Sequence, residues 1–426
     1  MKVAVVGGGW AGMAAAVAAT RAGHAVTVFE ATRALGGRAR ALAVQLPGGA
    51  NVILDNGQHV MIGAYRAALG LMREVGVEPA RVLLRMPLAL RFPDGTGLAL
   101  PSWPAPLDAV GGIVTARGWG WRDKASLLRS ALGWRSARFE CSPEETVSDL
   151  CRTLTPRVKA ELIEPLCASA LNTPAGRSSG QVFLRVVRDA LFGRGEGGWG
   201  GSNLLLPRRD LGLLFPEMAG KWLRRQGGSM RTGHRVQSVA PQGNGWSVDG
   251  ETFDRAVLAC PDRDAARLVE GSSIPSQDWL QCTRSLVHEA ITTVYAIGRQ
   301  APLPLPMLAL RSSPLAPAQF VFDRGQLGGP AGLLAFVVSA SQGDHDTLRR
   351  QVLAQAHSLG WGGLRPVQTV VEKRATFACT PGLRRPQMEI APGLLACGDY
   401  VAGPYPATLE GAVLSGLEAA ARLHVT

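Results

Sequence analysis

The chain has 426 residues, of which 46% are hydrophobic, and it carries a net charge of +12 with a pI of about 10.0. This length exceeds that of one ordinary hydrophobic core, so two domains are expected. The positive charge favours an anionic partner such as a membrane surface, whereas the lack of a lysine-rich tract or nucleic-acid motif argues against nucleic acid. The seven cysteines form no CxxC pair, which excludes a disulfide framework and suits a reducing cytoplasm.

The first thirty residues predict a strand, a helix and a second strand. Val3–Val6 and Ala25–Phe29 are short apolar runs typical of buried strands, and Ala11–Arg21 between them contains mostly helix-forming residues. The early apolar run is no signal peptide or membrane span, because glycines interrupt it and an acid follows. No other run reaches the ~18 apolar residues of a spanning helix.

Three glycines lie between that first strand and helix at GxGxxG spacing, and the surrounding elements give this motif the context for dinucleotide binding. Gly7 permits a tight turn, Gly9 lets a pyrophosphate approach the backbone, and Gly12 lets the helix pack on the strand. The helix N-terminus offers free N–H groups to the phosphates. Glu30 follows at close to the usual spacing for an acid that binds a ribose hydroxyl.

A second glycine motif distinguishes a flavin-binding protein from a nicotinamide-binding one. Ala34–Arg40 reads ALGGRAR, with Gly36, Gly37 and Arg38 directly after the ribose acid. This two-part motif resembles the extended fingerprint of FAD enzymes related to the amine oxidases and carotenoid desaturases. The C-terminal segment CGDYVAGPYPATLEGAVLSG resembles the closing flavin motif of the same superfamily. The resemblance implies that FAD is the cofactor.

Two internal segments resemble a narrower branch, the hydroxysqualene dehydroxylases. They are Asp55–Tyr65, which reads DNGQHVMIGAY, and Pro165–Pro174, which reads PLCASALNTP. The matching segments stand at both ends and near the middle, so the resemblance covers most of the chain. The DNGQH segment is the main reason for choosing this branch.

The resemblance implies an α/β fold, in which a Rossmann-type FAD-binding domain carries an inserted α+β substrate domain, as in the amine oxidases. We predict that residues 1–80, 227–265 and 390–426 form the discontinuous FAD-binding domain. Residues 81–226 and 266–389 would form the substrate-binding domain.

The resemblance also implies individual cofactor contacts. Val236 would lie against the adenine through its backbone, and Asp399 would bind the ribityl or pyrophosphate region. The predicted cofactor-binding residues are Gly7, Gly9, Trp10, Ala11, Gly12, Glu30, Ala31, Gly36, Gly37, Arg38, Asn56, Gly57, Gln58, Val236, Gly398, Asp399, Ala407, Thr408 and Leu409.

The middle of the chain predicts a hairpin followed by helices. Apolar residues alternate on both sides of the PDGTG turn between Leu88 and Leu100, which indicates a β-hairpin. Residues 101–118, rich in Pro and Gly, are predicted to be a loop, and residues 121–192 to be mostly helical. The glycine-rich stretch 193–201 lacks a preceding strand, so we interpret it as a flexible loop rather than a second phosphate loop.

Strands dominate the second half. A helix is expected over Leu211–Gln226, and a final helix is expected to begin at Pro406, because proline is favourable at a first helical position. The strands within residues 288–378 would form, with the hairpin, one mixed sheet over the flavin. The predicted strands are His234–Ala240, Trp246–Val248, Phe253–Cys260, Ala290–Ile297, Gln319–Phe322, Leu333–Val338, Val367–Phe377 and Gly393–Cys397.

No motif for another chemistry is present: the seven histidines show no metal spacing, and no serine lies in a nucleophile elbow. The flavin must therefore carry the reaction. The branch resemblance implies reductive loss of water from hydroxysqualene, a C30 allylic alcohol, to give squalene in squalene and hopanoid biosynthesis. No second dinucleotide fingerprint is present, so we expect an external electron donor.

This reaction needs a proton donor near the hydroxyl, and the candidates are few. His59, with Asp55 beside it, is the best suited near neutral pH, and Tyr405 before the last helix is a second candidate. A structural hydrogen bond is an equal alternative role for His59. Cys167 and Asn172 would line the pocket by resemblance alone.

Two other functions stay open at this stage. A carotenoid-type desaturase shares nearly every motif and runs the redox chemistry in the opposite direction. A flavin-free prenyl-binding escort protein is the other alternative, although the complete set of flavin motifs argues against it.

A C30 isoprenoid barely dissolves in water, so the enzyme is expected to collect it from a membrane. Residues 116–138 contain six basic residues, one acid, and an apolar stripe of Trp121, Ala125, Leu128 and Leu132 at helical spacing. This composition is typical of an interfacial helix. We therefore expect a cytoplasmic protein, peripheral on the inner face of an anionic membrane; the alternative is that the stripe packs on the substrate domain.

Overall fold

The computed structural model describes residues 1–193, 195, 200–299 and 302–424. Its strands are β1 (Lys2–Val6), β2 (Ala25–Glu30), β3 (Ala41–Gln45), β4 (Asn51–Asp55), β5 (Met61–Ile62), β6 (Leu83–Met86), β7 (Ala89–Arg91), β8 (Gly97–Ala99), β9 (Leu204–Pro207), β10 (Ser229–Thr232), β11 (Val239–Gln242), β12 (Gly245–Val248), β13 (Glu251–Phe253), β14 (Arg255–Leu258), β15 (His288–Ile297), β16 (Met307–Ala309), β17 (Phe320–Asp323), β18 (Leu333–Ser339), β19 (Arg365–Phe377), β20 (Glu389–Ala391) and β21 (Leu394–Ala396).

The α-helices are α1 (Trp10–Arg21), α2 (Arg66–Glu74), α3 (Pro79–Val82), α4 (Leu107–Thr115), α5 (Trp121–Ser136), α6 (Val147–Leu150), α7 (Pro156–Val158), α8 (Glu164–Leu171), α9 (Gly180–Leu191), α10 (Leu211–Leu214), α11 (Pro216–Arg225), α12 (Asp262–Glu270), α13 (Gln277–Arg284), α14 (His345–Ser358) and α15 (Leu409–Arg422). A π-helical turn over Lys159–Ile163 joins α7 to α8, and a 3-10 turn covers Gly325–Leu327.

One of the two large sheets has six strands in the order β10–β2–β1–β14–β21–β20, drawn from both ends and the middle of the chain. All neighbours are parallel except β20, which pairs antiparallel with β21 at one edge. Val5 in the central strand lies opposite Val28 and Val257, and all three are fully buried. Such continuous apolar strands are typical of a parallel sheet covered on both faces.

Helix α1 lies against this sheet and contacts α15 and α11, so most of its surface is buried. Two glycines make this packing possible. A Cβ at Gly12 would lie 1.9 Å from the Gly7 carbonyl oxygen, and a Cβ at Gly416 would lie 2.2 Å from that of Ala11. Both contacts are far shorter than van der Waals distance, so the close approach requires glycine.

The second large sheet is antiparallel, of order β16–β17–β18–β15–β19. The prediction of one mixed sheet with the hairpin is therefore wrong. The hairpin forms as predicted, with Leu90 opposite Leu98, but β7 and β8 make a two-stranded sheet of their own. Buried side chains of the six-stranded sheet and of one face of the antiparallel sheet belong to one core, from Val5 to Tyr295. The other face of the antiparallel sheet, which includes Val294 and Phe336, packs with α14 in a second cluster.

Three predicted element boundaries are wrong. Residues 101–118 contain helix α4, because Gly111 and Gly112 let Trp103 and Leu100 pack against the helix. The last helix begins at Leu409 rather than Pro406, because Thr408 caps it. Pro216 divides the expected helix over residues 211–226 into α10 and α11.

The strand content after α11 also differs from the prediction. β10 was not predicted, and residues 234–238 lie outside any strand because the Asp249 carboxylate binds the N–H groups of Gln237 and Ser238. The predicted flexible loop over residues 193–201 falls largely outside the described residues. The division into FAD-binding and substrate-binding segments stays a prediction.

Candidate functional site

The predicted cofactor residues converge at one edge of the six-stranded sheet. Parallel strands end at the same edge, and the carboxyl ends of β1, β2, β14 and β21 lead directly to Gly7, Glu30, Ala259 and Gly398. Ligands of open α/β sheets bind at this edge. The fold therefore brings the first and the last sequence motifs together, although nearly 400 residues separate them.

The three glycines of the first motif have different environments. Gly7 adopts φ +121°, and a Cβ there would lie 2.5 Å from the Ala259 carbonyl oxygen. A Cβ at Gly12 would collide with the backbone of Gly7. At Gly9, by contrast, the nearest atom to such a Cβ would be the Gly37 Cα at 3.9 Å. No protein atom thus requires glycine at position 9, and the space above it fits an approaching pyrophosphate.

The second glycine motif, Gly36 and Gly37, lies directly against the first. Gly9 and Gly36 form a parallel bridge, and the Gly36 N–H donates to the Gly8 carbonyl over 2.9 Å. Gly36 and Gly37 adopt φ +113° and +61°, which favours glycine at both positions. The two glycine motifs therefore form one continuous backbone surface at the N-terminus of α1.

Glu30 is anchored beside the first motif. One carboxylate oxygen accepts a 2.7 Å bond from the Gly8 N–H, and the other accepts 2.8 Å bonds from the Thr32 N–H and hydroxyl. The residue is buried. A carboxylate has about four lone-pair sites, so capacity for a ribose hydroxyl remains. The neighbouring Ala31 is exposed, and Ala11 is buried within α1.

Arg38 and Asp399 link the first motif to the last. An Arg38 guanidinium nitrogen lies 2.5 Å from an Asp399 carboxylate oxygen, and a second nitrogen donates to the Ala375 carbonyl over 2.8 Å. Asp399 raises the pKa of Arg38 despite the opposing effect of burial. The pair places a guanidinium and a carboxylate, each held by the other, where the resemblance predicts cofactor contacts.

The closing motif leads into the N-terminus of α15. The Gly398 N–H donates to the Ser415 hydroxyl, and the Ala407 N–H to the Asp399 carbonyl, over 2.7 and 3.3 Å. Thr408 is the N-cap, with its hydroxyl accepting from the Gly411 N–H, and Leu409 is the first helical residue. The geometry gives α15 an N-terminus adjoining Asp399, where the helix dipole favours negative charge.

Asp55 and His59 form a closed pair at the end of β4. One Asp55 oxygen lies 2.7 Å from His59 Nδ1 and accepts from the Gly57 N–H over 3.0 Å, while the other accepts from the His59 N–H over 2.6 Å. Asp55 is buried, whereas the His59 side chain is 26% exposed. A Cβ at Gly57 would lie 2.8 Å from the imidazole, so glycine lets the ring fold over this turn.

The two side chains of this pair shift each other's pKa in opposite directions. Burial alone would raise the pKa of Asp55, but the His59 charge and three hydrogen bonds lower it below its ordinary value. Burial alone would lower the pKa of His59, but Asp55 raises it. Arg38 and Glu372 act on His59 as smaller opposing charges. His59 therefore holds a proton at higher pH than a free imidazole does.

Residues from the antiparallel sheet hold this turn in place. The buried Tyr295 hydroxyl donates to the Asp55 carbonyl over 2.5 Å, and Arg324 reaches the Gln58 side-chain oxygen over 3.4 Å. Gln58 adopts φ +49°, an unusual conformation for a residue other than glycine. Sequence reasoning did not identify Tyr295 or Arg324, because nothing in an ordinary strand pattern marks a residue that contacts a distant turn.

If the site binds FAD, some of its buried polar atoms should lack a hydrogen-bond partner within the protein. Within the described residues, such atoms include the Gln58 Nε2, the Trp10 indole nitrogen and the Tyr400 hydroxyl. Buried polar groups are normally hydrogen-bonded, and these three residues belong to the first motif, the DNGQH segment and the closing motif. The room for a Cβ at Gly9 and the unpartnered groups in these three motifs fit the binding of a polar cofactor.

Two other predicted contacts already have protein partners. The Val236 carbonyl accepts a 2.8 Å bond from Arg267, and the residue is buried. The Asn56 side-chain oxygen accepts from the Arg40 N–H over 3.1 Å, and the Asn56 N–H donates to the Arg40 carbonyl. Asn56 thus joins the DNGQH segment to the second glycine motif. The assigned contacts of both residues with FAD stay predictions.

The structure does not bring Tyr405 together with His59. The Tyr405 hydroxyl donates to the Asp189 carboxylate over 2.9 Å, and burial together with Asp189 raises its pKa to about 12. The Tyr405 hydroxyl is thus hydrogen-bonded to the last turn of α9. Tyr405 therefore stays a predicted candidate for the proton donor, with a protein partner for its hydroxyl.

Cys167 and Asn172, the predicted pocket residues of the PLCASALNTP segment, are both buried. Cys167 is fully buried, and burial raises the pKa of its thiol. Asn172 donates to the Thr376 hydroxyl over 2.9 Å and accepts from the Ala340 N–H over 2.6 Å. Its side chain thereby joins the end of α8 to the antiparallel sheet, which is a structural role.

A cavity of about 430 Å³ lies between α12, α13 and the antiparallel sheet. Its lining is charged, so it does not match an apolar tunnel for a C30 chain. The charged residues are Asp262, Arg263, Arg267, Glu270, Arg284 and Arg374, and His288 adds a polar imidazole. Across the described ranges, no group of three or more His, Cys, Asp or Glu side chains is placed to hold a metal ion.

Comparison with protein families matches residues 10–424 to the family described as flavin containing amine oxidoreductase. Hydroxysqualene dehydroxylases from Sinorhizobium fredii and Rhodopseudomonas palustris are 27% and 28% identical, each covering 98% of this chain and 97% of the relative. A zeta-carotene desaturase from Synechocystis is 41% identical, but over only 18% of this chain and 15% of that protein.

Solved structures share the whole fold at low sequence identity. An oxidoreductase from Methanosarcina mazei superposes with a TM-score of 0.73 at 15% identity, covering 98% of this chain and 99% of that one. A putrescine oxidase with bound putrescine gives 0.69 at 16% identity and covers both chains completely. These likenesses confirm the predicted amine oxidase-like α/β fold.

Proposed function

The chain belongs to the flavin containing amine oxidoreductase family and is an FAD-dependent oxidoreductase, and within this family we propose that it converts hydroxysqualene to squalene. The Asp55–His59 pair carries this proposal, because it offers a proton donor in the segment shared with the dehydroxylase branch. The similarity to hydroxysqualene dehydroxylases extends along 98% of the chain. The similarity to a desaturase is confined to a short segment.

The residues that would hold FAD are those of the sheet edge. The N-terminus of α1 and the space above Gly9 suit the pyrophosphate, Glu30 suits a ribose, and Arg38 with Asp399 supplies charged and polar contacts. Reduced FAD, when bound, supplies the hydride that replaces the hydroxyl group. The proposal includes an external donor that supplies those two electrons.

His59 acts in this proposal as the general acid. Its Nδ1 is committed to Asp55, so Nε2 is the nitrogen that can give a proton to the substrate hydroxyl. The C–O bond then breaks, the hydroxyl leaves as water, and the positive charge is delocalised over the allylic system. Asp55 keeps the imidazole oriented and raises its pKa, so more of the acid form is present near neutral pH.

The surroundings of the pair suit a reaction through a cation. Asp55 is buried, and Tyr295 and Gln58 close the turn on the side of the antiparallel sheet. Because bulk water recaptures an allylic cation, the proposal requires bound substrate and cofactor to cover the exposed part of the His59 side chain. Tyr405 is the weaker candidate for the acid, because its hydroxyl is bonded to Asp189 and its pKa is raised to about 12.

The test is anaerobic incubation of the holoenzyme with hydroxysqualene and dithionite, followed by lipid analysis. We expect squalene only when the reductant is present. A more unsaturated product formed with oxidised FAD and an electron acceptor would overturn the proposal in favour of a desaturase.

The role of His59 is tested by His59→Gln. We expect a rate roughly 100-fold or more below that of the unchanged enzyme, with FAD retained. For the unchanged enzyme, the rate should fall as pH rises through the raised pKa of His59, and this decline should vanish in the variant. His345→Gln is the matched control, since His345 pairs with Asp346 on the exposed surface of α14. A near-normal rate for His59→Gln would return His59 to a structural role.

A further inference from the structure

An exposed apolar surface covers helices α4 and α5. Six of the exposed large hydrophobic side chains in the described part of the chain lie within residues 103–132. Extended exposed apolar patches on soluble proteins mark interaction sites. The six are Trp103, Leu107, Val110, Val114, Trp121 and Leu132. We call residues 103–132 the α4–α5 surface.

Helix α4 contributes one continuous stripe. Leu107, Val110 and Val114 are 60%, 47% and 55% exposed, and their spacing places them on one side of the helix. The buried residues of this helix are Asp108, Gly111, Gly112 and Ile113, of which Gly112 lies most nearly opposite the stripe. The helix thus rests on the protein through these residues, while Leu107, Val110 and Val114 face outward.

Helix α5 also exposes apolar side chains along one side. Trp121 and Leu132 are 75% and 66% exposed, and at 100° per residue they project within about 20° of each other. Ala125 lies on the same side and is exposed. Leu127 and Ser130, the buried residues of this helix, project to the far side. Of the predicted stripe, Trp121, Ala125 and Leu132 are thus exposed, whereas Leu128 is half-buried against the core.

Basic residues border the stripe, and the acids of this region turn inward. On the helical wheel Arg122 and Arg129 lie on one side of the stripe of α5, and Arg135 on the other. Asp108 is only 2% exposed, and burial raises its pKa. Asp123 accepts from the Gly120 N–H over 2.9 Å and from the Thr155 hydroxyl over 2.6 Å. The stripe that α5 offers to solvent is therefore apolar in the middle and positive along both borders.

The two helices are fixed to each other and to the body of the protein. The Lys124 ammonium donates to the Val114 carbonyl over 2.7 Å, which joins the end of α4 to the first turns of α5. The buried Trp119 donates to Glu161 over 2.8 Å, next to the start of α5. The α4–α5 surface is therefore a preformed face rather than a loose segment.

We propose that the α4–α5 surface binds the face of a bilayer containing anionic lipid. An apolar stripe with tryptophan, bordered by cations and free of exposed acids, has the charge and polarity of an interfacial helix pair. The cytoplasmic leaflet carries the negative charge that such borders attract. Within the described residues no helix is long and apolar enough to cross a membrane, and the proposal requires none.

Vesicle flotation tests this proposal without turnover, so its outcome is independent of the proposed reaction. Holoenzyme is mixed with phosphatidylcholine vesicles or with vesicles containing 30% phosphatidylglycerol, a composition of about one anionic lipid in three. We expect flotation with the anionic vesicles, weaker binding to neutral ones, and weakening as salt is raised. Equal recovery in the unbound fraction with both vesicle types would overturn the proposal.

Two variants separate the apolar and the charged contributions. Trp121→Ser with Leu132→Ser should reduce binding at low salt, where electrostatic attraction is strongest. Arg122→Gln, Arg129→Gln and Arg135→Gln together should weaken partition into anionic vesicles by on the order of 100-fold. Lys124 is left unchanged, because its ammonium group joins the two helices.

Matched controls remove the same groups elsewhere. Leu315→Ser changes a leucine that is 78% exposed outside the surface. Lys221→Gln, Arg224→Gln and Arg225→Gln remove three exposed charges from α11. Both controls should float like the unchanged protein. If the α11 variant loses as much binding as the α5 variant, attraction is a property of net charge, and the α4–α5 surface is not the docking site.

Discussion

Gly9→Ala separates what the fold requires from what the cofactor requires. Gly9 has φ −77° and ψ −177°, which alanine adopts without strain. An added Cβ would meet no atom closer than the Gly37 Cα at 3.9 Å. The methyl group would instead enter the space where a pyrophosphate approaches the N-terminus of α1. We therefore expect a protein that folds normally and binds FAD poorly.

The expected size of both effects follows from the same geometry. Alanine restricts the unfolded chain, which stabilises the fold by about 0.4–1 kcal/mol, and it is a poorer N-cap than glycine by a similar amount. The free energy of unfolding without FAD should thus change by less than about 1 kcal/mol. FAD affinity should fall at least tenfold, or about 1.4 kcal/mol.

Urea unfolding with and without FAD measures both quantities. At a FAD concentration of 100 times the wild-type Kd, bound cofactor adds about 2.7 kcal/mol to the unchanged protein, and about 1.4 kcal/mol or less to the variant. Gly12→Ala is the matched control, because its Cβ would lie 1.9 Å from the Gly7 carbonyl oxygen. That variant should lose roughly 3 kcal/mol or more even without FAD.

Two results would contradict this reasoning. Gly9→Ala protein that purifies with full flavin occupancy would show that the pyrophosphate does not lie above Gly9. A loss of stability without FAD as large as that of Gly12→Ala would show that position 9 is constrained by the fold itself.

Three further predictions concern the network around the site. Asp399→Asn should lower the free energy of unfolding by roughly 1–3 kcal/mol in urea, less than for a fully buried pair because the Arg38 side chain is 37% exposed. The Asp55–His59 pair stabilises the fold most between about pH 4 and 6.5: the raised His59 pKa makes that contribution fade as pH rises through it, and the lowered Asp55 pKa makes it fade as pH falls through it. The stability difference between wild type and His59→Gln should shrink outside that range. Asn172→Ala should lower the free energy of unfolding by about 1–3 kcal/mol, because the Thr376 hydroxyl and the Ala340 N–H would each lose their hydrogen-bond partner. FAD affinity should be unchanged.

The parts of the fold predicted best are those whose physical causes are local. The strand, glycine turn and helix of the N-terminus are contiguous, so periodicity and spacing identify them within thirty residues. The hairpin around the PDGTG turn is local in the same sense. The assignment of FAD required the second glycine pair, which the fold places directly against Gly9.

The parts predicted poorly depend on contacts between distant segments. Helix α4 forms in a Pro- and Gly-rich stretch because Gly111 and Gly112 are packing positions there rather than turn residues. Tyr295 holds the Asp55 carbonyl across 240 residues of sequence, which no local pattern can reveal. The direction of Tyr405 depends on Asp189 in the same way.

Local strain and missing partners coincide at the predicted cofactor contacts. Gln58 and Ala407 adopt φ +49° and +56°, conformations that cost a residue other than glycine free energy and persist only where the surroundings impose them. Gln58 also leaves its buried Nε2 without a protein partner, as Trp10 does with its indole nitrogen. Within the predicted site these features have a physical reason if a polar ligand binds there, because the ligand would supply the interactions that the chain omits.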